Sequence, residues 1–300
     1  MSIIEAHGLT RTFRRVPAVR DLDLKVPDGS VFALIGPNGA GKTTTIKLLM
    51  NLLRPSSGSA RVLGVDTRAL DVPELQRIGY VSENQQLPGW MTTNQFLDYC
   101  RPFYPTWDAG FADALTRQLG LDARAKIRSL SRGTRMKAAL LSALAYRPEL
   151  VVMDEPFSGL DPLVRDELIQ ALLAASTDRP WTVLISSHDV EEVERLCDWV
   201  GFMRDGRLLT AEPVDSLLKR CRLVEVVSTA GELRLPMQAG WLAQGTAGRT
   251  LRFVDTRHDE PGSEARIAAA YPGSTFTIAP LSLREIFIAF ARESVPMEVV

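Results

Sequence analysis

The chain has 300 residues, of which 45% are hydrophobic and 24% are charged. These proportions are ordinary for a globular protein and exclude a disordered or fibrous chain, and the length is enough for two domains. Lys and Arg number 35 against 36 Asp and Glu, a net charge of -1, which argues against a protein that holds nucleic acid by bulk positive charge. A local basic patch remains open.

No stretch of the sequence is long and apolar enough to predict a membrane-spanning helix. The first residues lack the charged and then apolar pattern of a signal peptide, so we expect a cytoplasmic chain. The three cysteines, Cys100, Cys197 and Cys221, are odd in number and widely spaced. They suit reduced thiols, and no pair of them has the spacing of a zinc site.

The first part of the chain alternates short strands with turns. Apolar runs bounded by turn residues predict β-strands over residues 3–9, 18–26, 31–35, 60–65 and 78–81. Apolar residues at helical spacing predict a helix over residues 43–53.

The later parts of the chain differ in character. Helices are predicted over residues 108–119, 134–146, 162–176 and 283–290. Strands are predicted over residues 150–153, 182–186, 201–203, 207–209, 224–227, 233–235 and 251–254. The sequence thus predicts an α/β core over residues 1–225 that a helical insert interrupts at about 84–150, and a small C-terminal α+β accessory domain over 226–300.

A glycine-rich loop follows the predicted strand over residues 31–35. It fits the pattern of the phosphate-binding P-loop and consists of Gly36, Pro37, Asn38, Gly39, Ala40, Gly41, Lys42 and Thr43. Glycines let backbone N–H groups face a phosphate, and the helix that follows presents its N-terminus to the anion. Lys42 can reach the β- and γ-phosphates, and the Thr43 hydroxyl can hold Mg²⁺. A plain glycine-rich turn is the alternative, but the position between a strand and a helix favours nucleotide binding.

Two acidic residues, Asp154 and Glu155, end the predicted strand that begins at residue 150. In P-loop proteins a carboxylate at this point binds Mg²⁺, which predicts that role for Asp154. Glu155 can act as the general base that polarises the attacking water. A solvated turn is the alternative for the acidic pair. His188 follows the strand predicted over 182–186, where it either is structural or contacts the γ-phosphate.

These motifs occur in the order and rough spacing of the ATP-binding cassette (ABC) family, which the chain resembles over about residues 3–218. The segments that carry the resemblance are residues 36–44, 150–156 and 158–161 together with His188. The fold that this implies is a P-loop NTPase of the ABC cassette type. The resemblance places Phe13 against the adenine, adds Thr44 to the phosphate loop, and places Asp161 in the loop after the acidic pair.

The resemblance also implies a shared active site, in which two cassettes pair head to tail around two ATP molecules. Residues 130–134 lie where the family has its Leu-Ser-Gly-Gly-Gln signature. Ser131 and Gly133 are predicted at the start of a helix, where they can bind the ATP held by the partner. An ordinary helix N-cap is the alternative for Ser131.

Three positions depart from the family pattern. Arg132 replaces the first signature glycine, Thr134 replaces the final glutamine, and Glu83 stands where the family usually has a glutamine that touches Mg²⁺. Glutamate can also ligate Mg²⁺, so Glu83 is predicted as a metal ligand. Glutamates at this position resemble those of drug and antibiotic exporters. Because Glu155 and His188 are both present, we expect a cassette that hydrolyses ATP.

Six aromatic residues fall between Trp90 and Trp107. They fit either the core of a helical subdomain or, by resemblance, the groove that receives a helix of a membrane subunit.

The resemblance implies an ATP-hydrolysing transporter subunit that drives a separate transmembrane permease, with export favoured. It also implies that the chain lies on the cytoplasmic face of the cell membrane and has no nucleic acid partner. Its partners are that permease and a second copy of the chain, and its cofactors are ATP and Mg²⁺. The alternative is a soluble ABC ATPase in translation or DNA maintenance.

Overall fold

A computed structural model describes residues 1–176, 181–228, 233–236 and 238–293. The chain forms two compact units, Met1–Ala211 and Glu212–Val300. The strands that begin in the first unit are β1 (Ser2–Phe13), β2 (Val16–Pro27), β3 (Val31–Ile35), β4 (Ser57–Val62), β5 (Val65–Asp66), β6 (Ile78–Ser82), β7 (Leu150–Asp154), β8 (Thr182–Ser187), β9 (Trp199–Arg204) and β10 (Arg207–Pro213). Its helices are α1 (Lys42–Leu49), α2 (Val72–Leu75), α3 (Thr93–Cys100), α4 (Ala109–Gln118), α5 (Arg132–Leu144) and α6 (Pro162–Ser176).

A six-stranded sheet in the order β10-β9-β3-β8-β7-β6 forms the centre of the first unit. Strands β9, β3, β8, β7 and β6 are paired in parallel, so their carboxyl ends meet at one edge. Every residue of β7 and β8 is buried, as expected for parallel strands that are covered on both faces. The glycine-rich loop, Asp154 and His188 all lie at this edge, at or directly after the ends of β3, β7 and β8.

A second sheet of the first unit has the order β2-β1-β4-β5 and is antiparallel. Apolar side chains of β1 and β2 share one core with β3 and α1. That core fixes the strand before the glycine-rich loop and the helix after it, so the loop is held at both ends.

Three helices, α3, α4 and α5, lie between β6 and β7 and account for the predicted helical insert. Each begins at a polar N-cap whose side chain accepts a backbone N–H bond: Thr92, Asp108 and Ser131. Helix α5 buries most of its length, whereas α3 keeps one exposed face. Among the described residues, no helix combines the length and apolar character needed to cross a lipid bilayer.

The second unit contains an antiparallel sheet in the order β12-β13-β11-β14. Its strands and helices are α7 (Val214–Arg220), β11 (Arg222–Val227), β12 (Trp241–Ala247), β13 (Thr250–Asp255), α8 (Ser263–Ala270), β14 (Thr275–Pro280) and α9 (Leu283–Glu293). The rings of Trp241, Phe253 and Tyr271 pack together in its core.

Two features of the structure differ from what the sequence predicted. The units divide after Ala211, earlier than the predicted boundary after residue 225, because β11 pairs with β13 and β14 of the second unit. The strand predicted over 233–235 is wrong, since residues 233–236 have no regular structure. Parts of the predicted accessory domain, residues 229–232, 237 and 294–300, lie outside the described residues.

Candidate active site

The glycine-rich loop runs from the end of β3 to the start of α1, at the edge where the parallel strands end. Its Gly36 N–H donates to the Ser187 carbonyl at 3.2 Å, which joins the loop to the end of β8. Gly41 has φ 103°, and a Cβ there would lie 2.4 Å from the Ala18 carbonyl oxygen. Only glycine combines that conformation with such close backbone approach, so this position of the motif is fixed by geometry.

The Lys42 ammonium is buried at the centre of the loop. Its Nζ donates to the carbonyls of Gly36 at 2.5 Å and Pro37 at 3.2 Å, and it lies 3.0 Å from Glu155 Oε1. A buried cation needs such partners because desolvation is costly. Phosphate oxygens of a nucleotide are charged acceptors of the same kind, so they can compete for this ammonium.

Three oxygen-bearing side chains meet beside Lys42. The Thr43 hydroxyl donates to Asp154 Oδ1 at 2.9 Å, and the Ser186 hydroxyl donates to the same oxygen at 2.8 Å. Asp154 ends β7, and Ser186 is its neighbour in the pairing of β7 with β8. Hydroxyl and carboxylate oxygens are the ligands that Mg²⁺ prefers, so the donor set of Thr43 and Asp154 fits this ion.

Glu155 occupies an unusual backbone conformation, with φ 51°. A non-glycine residue at positive φ is uncommon and costs free energy, and such residues cluster at active sites. The Glu155 N–H donates to Ser186 Oγ at 3.0 Å, which supports this turn of the chain. The conformation directs the Glu155 carboxylate to Lys42 and His188, whereas the Asp154 carboxylate faces Thr43.

His188 pairs with Glu155, since His188 Nδ1 lies 2.7 Å from Glu155 Oε2. This hydrogen bond raises the pKa of His188 above its ordinary value, and burial offsets part of the effect. Glu192 lies near the same ring, because ligand atoms of Glu155, His188 and Glu192 are within 4.8 Å of one another. The buried Glu192 carboxylate accepts the Ser187 hydroxyl at 2.6 Å and so fixes the segment that carries His188.

A cavity of about 480 Å³ brings together most of the predicted site residues. It is lined by Phe13, Asn38, Gly39, Ala40, Gly41, Lys42, Thr43, Thr44, Glu83, Glu155 and His188, together with Ala18 and Ser158. Phe13 is exposed, and the Arg11 guanidinium lies 4.6 Å from the centre of its ring. The aromatic ring at the cavity can stack on a nucleobase. The loop that carries Lys42 can bind the phosphates of the same nucleotide.

Glu83 lies in this cavity, but its carboxylate has a partner that the sequence did not predict. Arg132 Nη2 donates to Glu83 Oε1 at 2.9 Å. The predicted role of Glu83 as a metal ligand therefore requires its carboxylate to exchange this partner for the metal.

Six predicted site residues are not among those that line the cavity. Gly36, Pro37 and Asp154 bond to Lys42 or Thr43, which do line it. The other three are Ser131, Gly133 and Asp161. Ser131 Oγ accepts the Thr134 N–H at 3.1 Å as the N-cap of α5. Asp161 Oδ1 accepts the Val164 N–H at 3.0 Å, and Gly133 is buried so close to Val164 that a Cβ would lie 2.8 Å from its Cγ1. Each residue thus has a structural role within its own chain, and the role toward a partner's ATP remains a prediction.

Sequence reasoning missed three contributors to the site: Ser186, Glu192 and Arg11. Ser186 could have been found, because it ends the apolar strand predicted over residues 182–186, two residues before His188. Glu192 and Arg11 gave no local signal. Each acts on a residue that does carry a motif, and that relationship exists only in the folded chain.

A sequence model of the ABC transporter family matches residues 19–158. The chain is 30% identical over 215 residues to the ABC transporter ATP-binding protein YtrB of Bacillus subtilis, covering 72% of this chain and 73% of YtrB. It is 32% identical over 226 residues to the bacitracin transport ATP-binding protein BcrA of Bacillus licheniformis, covering 74% and 73% of the two chains. A dimeric cassette, MJ0796, in a post-hydrolysis state with ADP and Pi has the same fold, with a TM-score of 0.62, 23% identity, and coverage of 70% of this chain and 98% of that one.

The fold, the phosphate loop and these similarities together define the class. The chain belongs to the ABC transporter family as an ATP-binding subunit, and it is an ATPase.

Proposed function

We propose that two copies of this chain pair head to tail, hydrolyse ATP at their shared sites, and drive a separate membrane permease in the direction of export. The observation that carries the hydrolytic part is the contact of Glu155 with both Lys42 and His188, at 3.0 Å and 2.7 Å. It places a carboxylate, a cation and an imidazole at one wall of a cavity that the phosphate loop lines.

In this proposal Glu155 acts as the general base. A carboxylate accepts a proton from the attacking water most effectively when it is held toward the phosphate, and the positive φ of Glu155 directs it there. Lys42 binds the phosphate oxygens and neutralises their charge. His188, bonded to Glu155, donates to a γ-phosphate oxygen or orients the water. Thr43 and Asp154 would hold Mg²⁺, which screens the phosphate charge when bound.

The proposed dimer rests on features of α5 and α6. Ser131 is exposed at the N-terminus of α5, where backbone N–H groups and the helix dipole attract an anion. Leu163 is 70% exposed at the start of α6, close in sequence to Asp161. One chain carries both the phosphate loop and the signature segment, so two identical copies complete both sites. The cassette MJ0796 is described as dimeric.

The proposed contact with the permease is an apolar groove between the sheet and the helical insert. This groove has a volume of about 330 Å³ and includes Leu52, Leu75, Phe96, Tyr104 and Tyr146. Phe96 is buried, whereas aromatic residues nearby in the sequence are exposed: Trp90 by 70%, Tyr99 by 56% and Phe103 by 55%. Both sequence-based alternatives for the aromatic run therefore have support. Phe96 packs in the core, and the exposed aromatic residues can contact a helix of the permease.

A membrane permease would hold the chain on the cytoplasmic face of the cell membrane. Export is supported by Glu83 and by the similarity to BcrA, whose name assigns it to bacitracin transport. The sequence holds one phosphate loop and is not basic, which favours transport over the alternative of a soluble ATPase in translation or DNA maintenance.

A photo-crosslinking amino acid at Tyr99 or Phe103, introduced in the source cells, tests the permease contact. We expect it to capture a multi-span membrane protein encoded beside this chain. The same group at Val227, which is exposed in the second unit, serves as the control and should not capture it. Capture of ribosomal proteins from Tyr99, with no membrane protein, would favour the alternative function.

A further inference from the structure

Two side chains that depart from the family pattern contact each other. Arg132 and Glu83 are 49 residues apart in sequence, yet Arg132 Nη2 lies 2.9 Å from Glu83 Oε1. The Glu83 N–H donates to the Asp154 carbonyl at 2.9 Å, so the backbone of Glu83 is joined to the end of β7. The ion pair therefore connects the first residue of α5 to the strand end that carries the proposed metal ligand.

Arg132 also contacts the loop that follows Glu155. Gly159 has φ 64°, and a Cβ at this position would lie 2.7 Å from Arg132 Nη1. The guanidinium thus lies against the backbone of this loop as well as against the Glu83 carboxylate. One side chain holds together the loop after β6, the loop after β7 and the N-terminus of α5.

Glu83 stands between two spaces. It lines the cavity of Lys42 and Thr43, and it also lines a neighbouring groove of about 530 Å³ together with Arg132 and Arg135. A carboxylate at this boundary can face a cation in the cavity or the guanidinium in the groove. The side chains of Arg132 and Glu83 are 47% and 32% exposed, and an ion pair this open to water is weak enough to exchange partners.

We propose that Arg132 is a positioning residue for Glu83. It holds the Glu83 carboxylate toward α5 and thereby lowers the affinity of the ATP site for its divalent cation. The proposal rests on the proposed Mg²⁺ site, but it concerns a single chain and does not require the head-to-tail dimer. In a dimer it has a further consequence, because the same arginine belongs to the segment that faces the partner's ATP.

The test measures binding rather than hydrolysis. The affinity for a fluorescent ATP analogue is measured in the Glu155→Gln background with Mg²⁺ and with EDTA. The dissociation constant in EDTA divided by the dissociation constant with Mg²⁺ gives the gain in affinity that the metal supplies. We expect Arg132→Gln to increase this ratio about twofold to fivefold while Glu83 is present, because an exposed ion pair of this kind is worth at most about 1 kcal/mol and the freed carboxylate can turn to the metal. In a chain that also carries Glu83→Gln, the same change should leave the ratio unaltered.

Arg135→Gln is the matched control, because Arg135 is an exposed arginine of the same helix that lines the same groove. Within the part of the chain that the structure describes, Glu83 pairs with Arg132 and not with Arg135. It should not change the ratio. Equal effects of Arg132→Gln with and without Glu83 would overturn the proposal, because the arginine would then act through its charge alone. An unchanged or decreased ratio in Arg132→Gln would overturn it too. If Arg132→Gln does not fold, Arg132→Lys replaces it, with a smaller increase expected.

A parent chain that gains no affinity from Mg²⁺ would refute the proposed metal site itself, and the positioning role with it. Binding is measured at chain concentrations at which sedimentation shows a monomer, so the ratio does not depend on dimerisation. Failure of the dimer is then recognised separately, by sedimentation at higher concentration.

Discussion

Glu155 Oε1 lies 3.0 Å from the Lys42 ammonium, and the other carboxylate oxygen lies 2.7 Å from His188 Nδ1. One carboxylate therefore connects the phosphate loop after β3 to the segment after β8. When a nucleotide phosphate binds the Lys42 ammonium in place of Glu155, Glu155 Oε1 loses its partner. That oxygen can then accept a hydrogen bond from water. The relationship links phosphate binding to the availability of the proposed base.

Glu155→Gln tests that role. The amide keeps the size of the side chain but is a far weaker proton acceptor, so we expect turnover to fall by about 10²–10⁴-fold while ATP still binds. Phosphate release and binding of a fluorescent ATP analogue measure the two effects. Glu149→Gln, at an exposed glutamate that pairs with Arg77, is the control and should retain turnover. Full activity of Glu155→Gln would exclude Glu155 as the base.

The raised pKa of His188 has a direction that can be tested by NMR. The Glu155 carboxylate stabilises the protonated ring, so the stabilisation by this pair is complete at pH values below the unfolded-state pKa and is lost as the pH rises through the folded-state pKa. In Glu155→Gln the main cause of the shift is gone, and the titration midpoint of His188 should move down. A midpoint that is unchanged in Glu155→Gln would contradict the hydrogen bond. The ring signals of His7 should be the same in both proteins.

Gly41 and Gly39 form a matched pair for the phosphate loop. Both have positive φ, of 103° and 82°, but only a Cβ at Gly41 meets backbone, at 2.4 Å from the Ala18 oxygen. Gly39→Ala should cost about 1–3 kcal/mol of unfolding free energy for backbone strain, and Gly41→Ala should cost more because the loop must also shift. Chemical denaturation measures both. Equal losses would show that the close approach to Ala18 has no consequence.

Thr43→Val removes a hydroxyl at nearly constant volume. If Thr43 and Asp154 hold Mg²⁺, we expect the metal-dependent gain in ATP affinity to fall by about tenfold or more, with little change in EDTA. Thr45→Val is a control of the same chemistry, since the Thr45 hydroxyl bonds the Gly41 carbonyl in the core of α1 and not Asp154. A Thr43→Val chain that keeps the full metal-dependent gain would remove this residue from the metal site.

Local patterns were enough to predict much of the first unit. The strand over residues 31–35 and the helix over 162–176 have the predicted bounds, because each is a continuous apolar or periodic run between clear turn residues. Strand β12, by contrast, includes Gly245, and edge strand β14 has four exposed residues of six and none buried. Neither therefore carries the apolar signal of a strand.

The contacts within the site likewise divide into those that local sequence patterns predict and those that they do not. The glycine-rich loop and the acidic pair are continuous in sequence, and the structure brings them together at one edge of the sheet as expected. The pairing of Glu83 with Arg132 joins positions 49 residues apart, and a single sequence holds no record of such a contact. The same holds for Glu192, whose contact with Ser187 depends on the turn after β8.

Sedimentation of the Glu155→Gln chain with and without ATP and Mg²⁺ tests the central claim, that two copies share their active sites. We expect a dimer with nucleotide and a monomer without it. Ser131→Ala should weaken this dimer. Thr92→Ala is the control and should not weaken it, because it also removes the N-cap bond of a helix but lies in α3. The two bonds are of similar length, 3.1 Å at Ser131 and 3.2 Å at Thr92. A chain that stays monomeric with ATP, or is a dimer irrespective of ATP, would contradict the shared site.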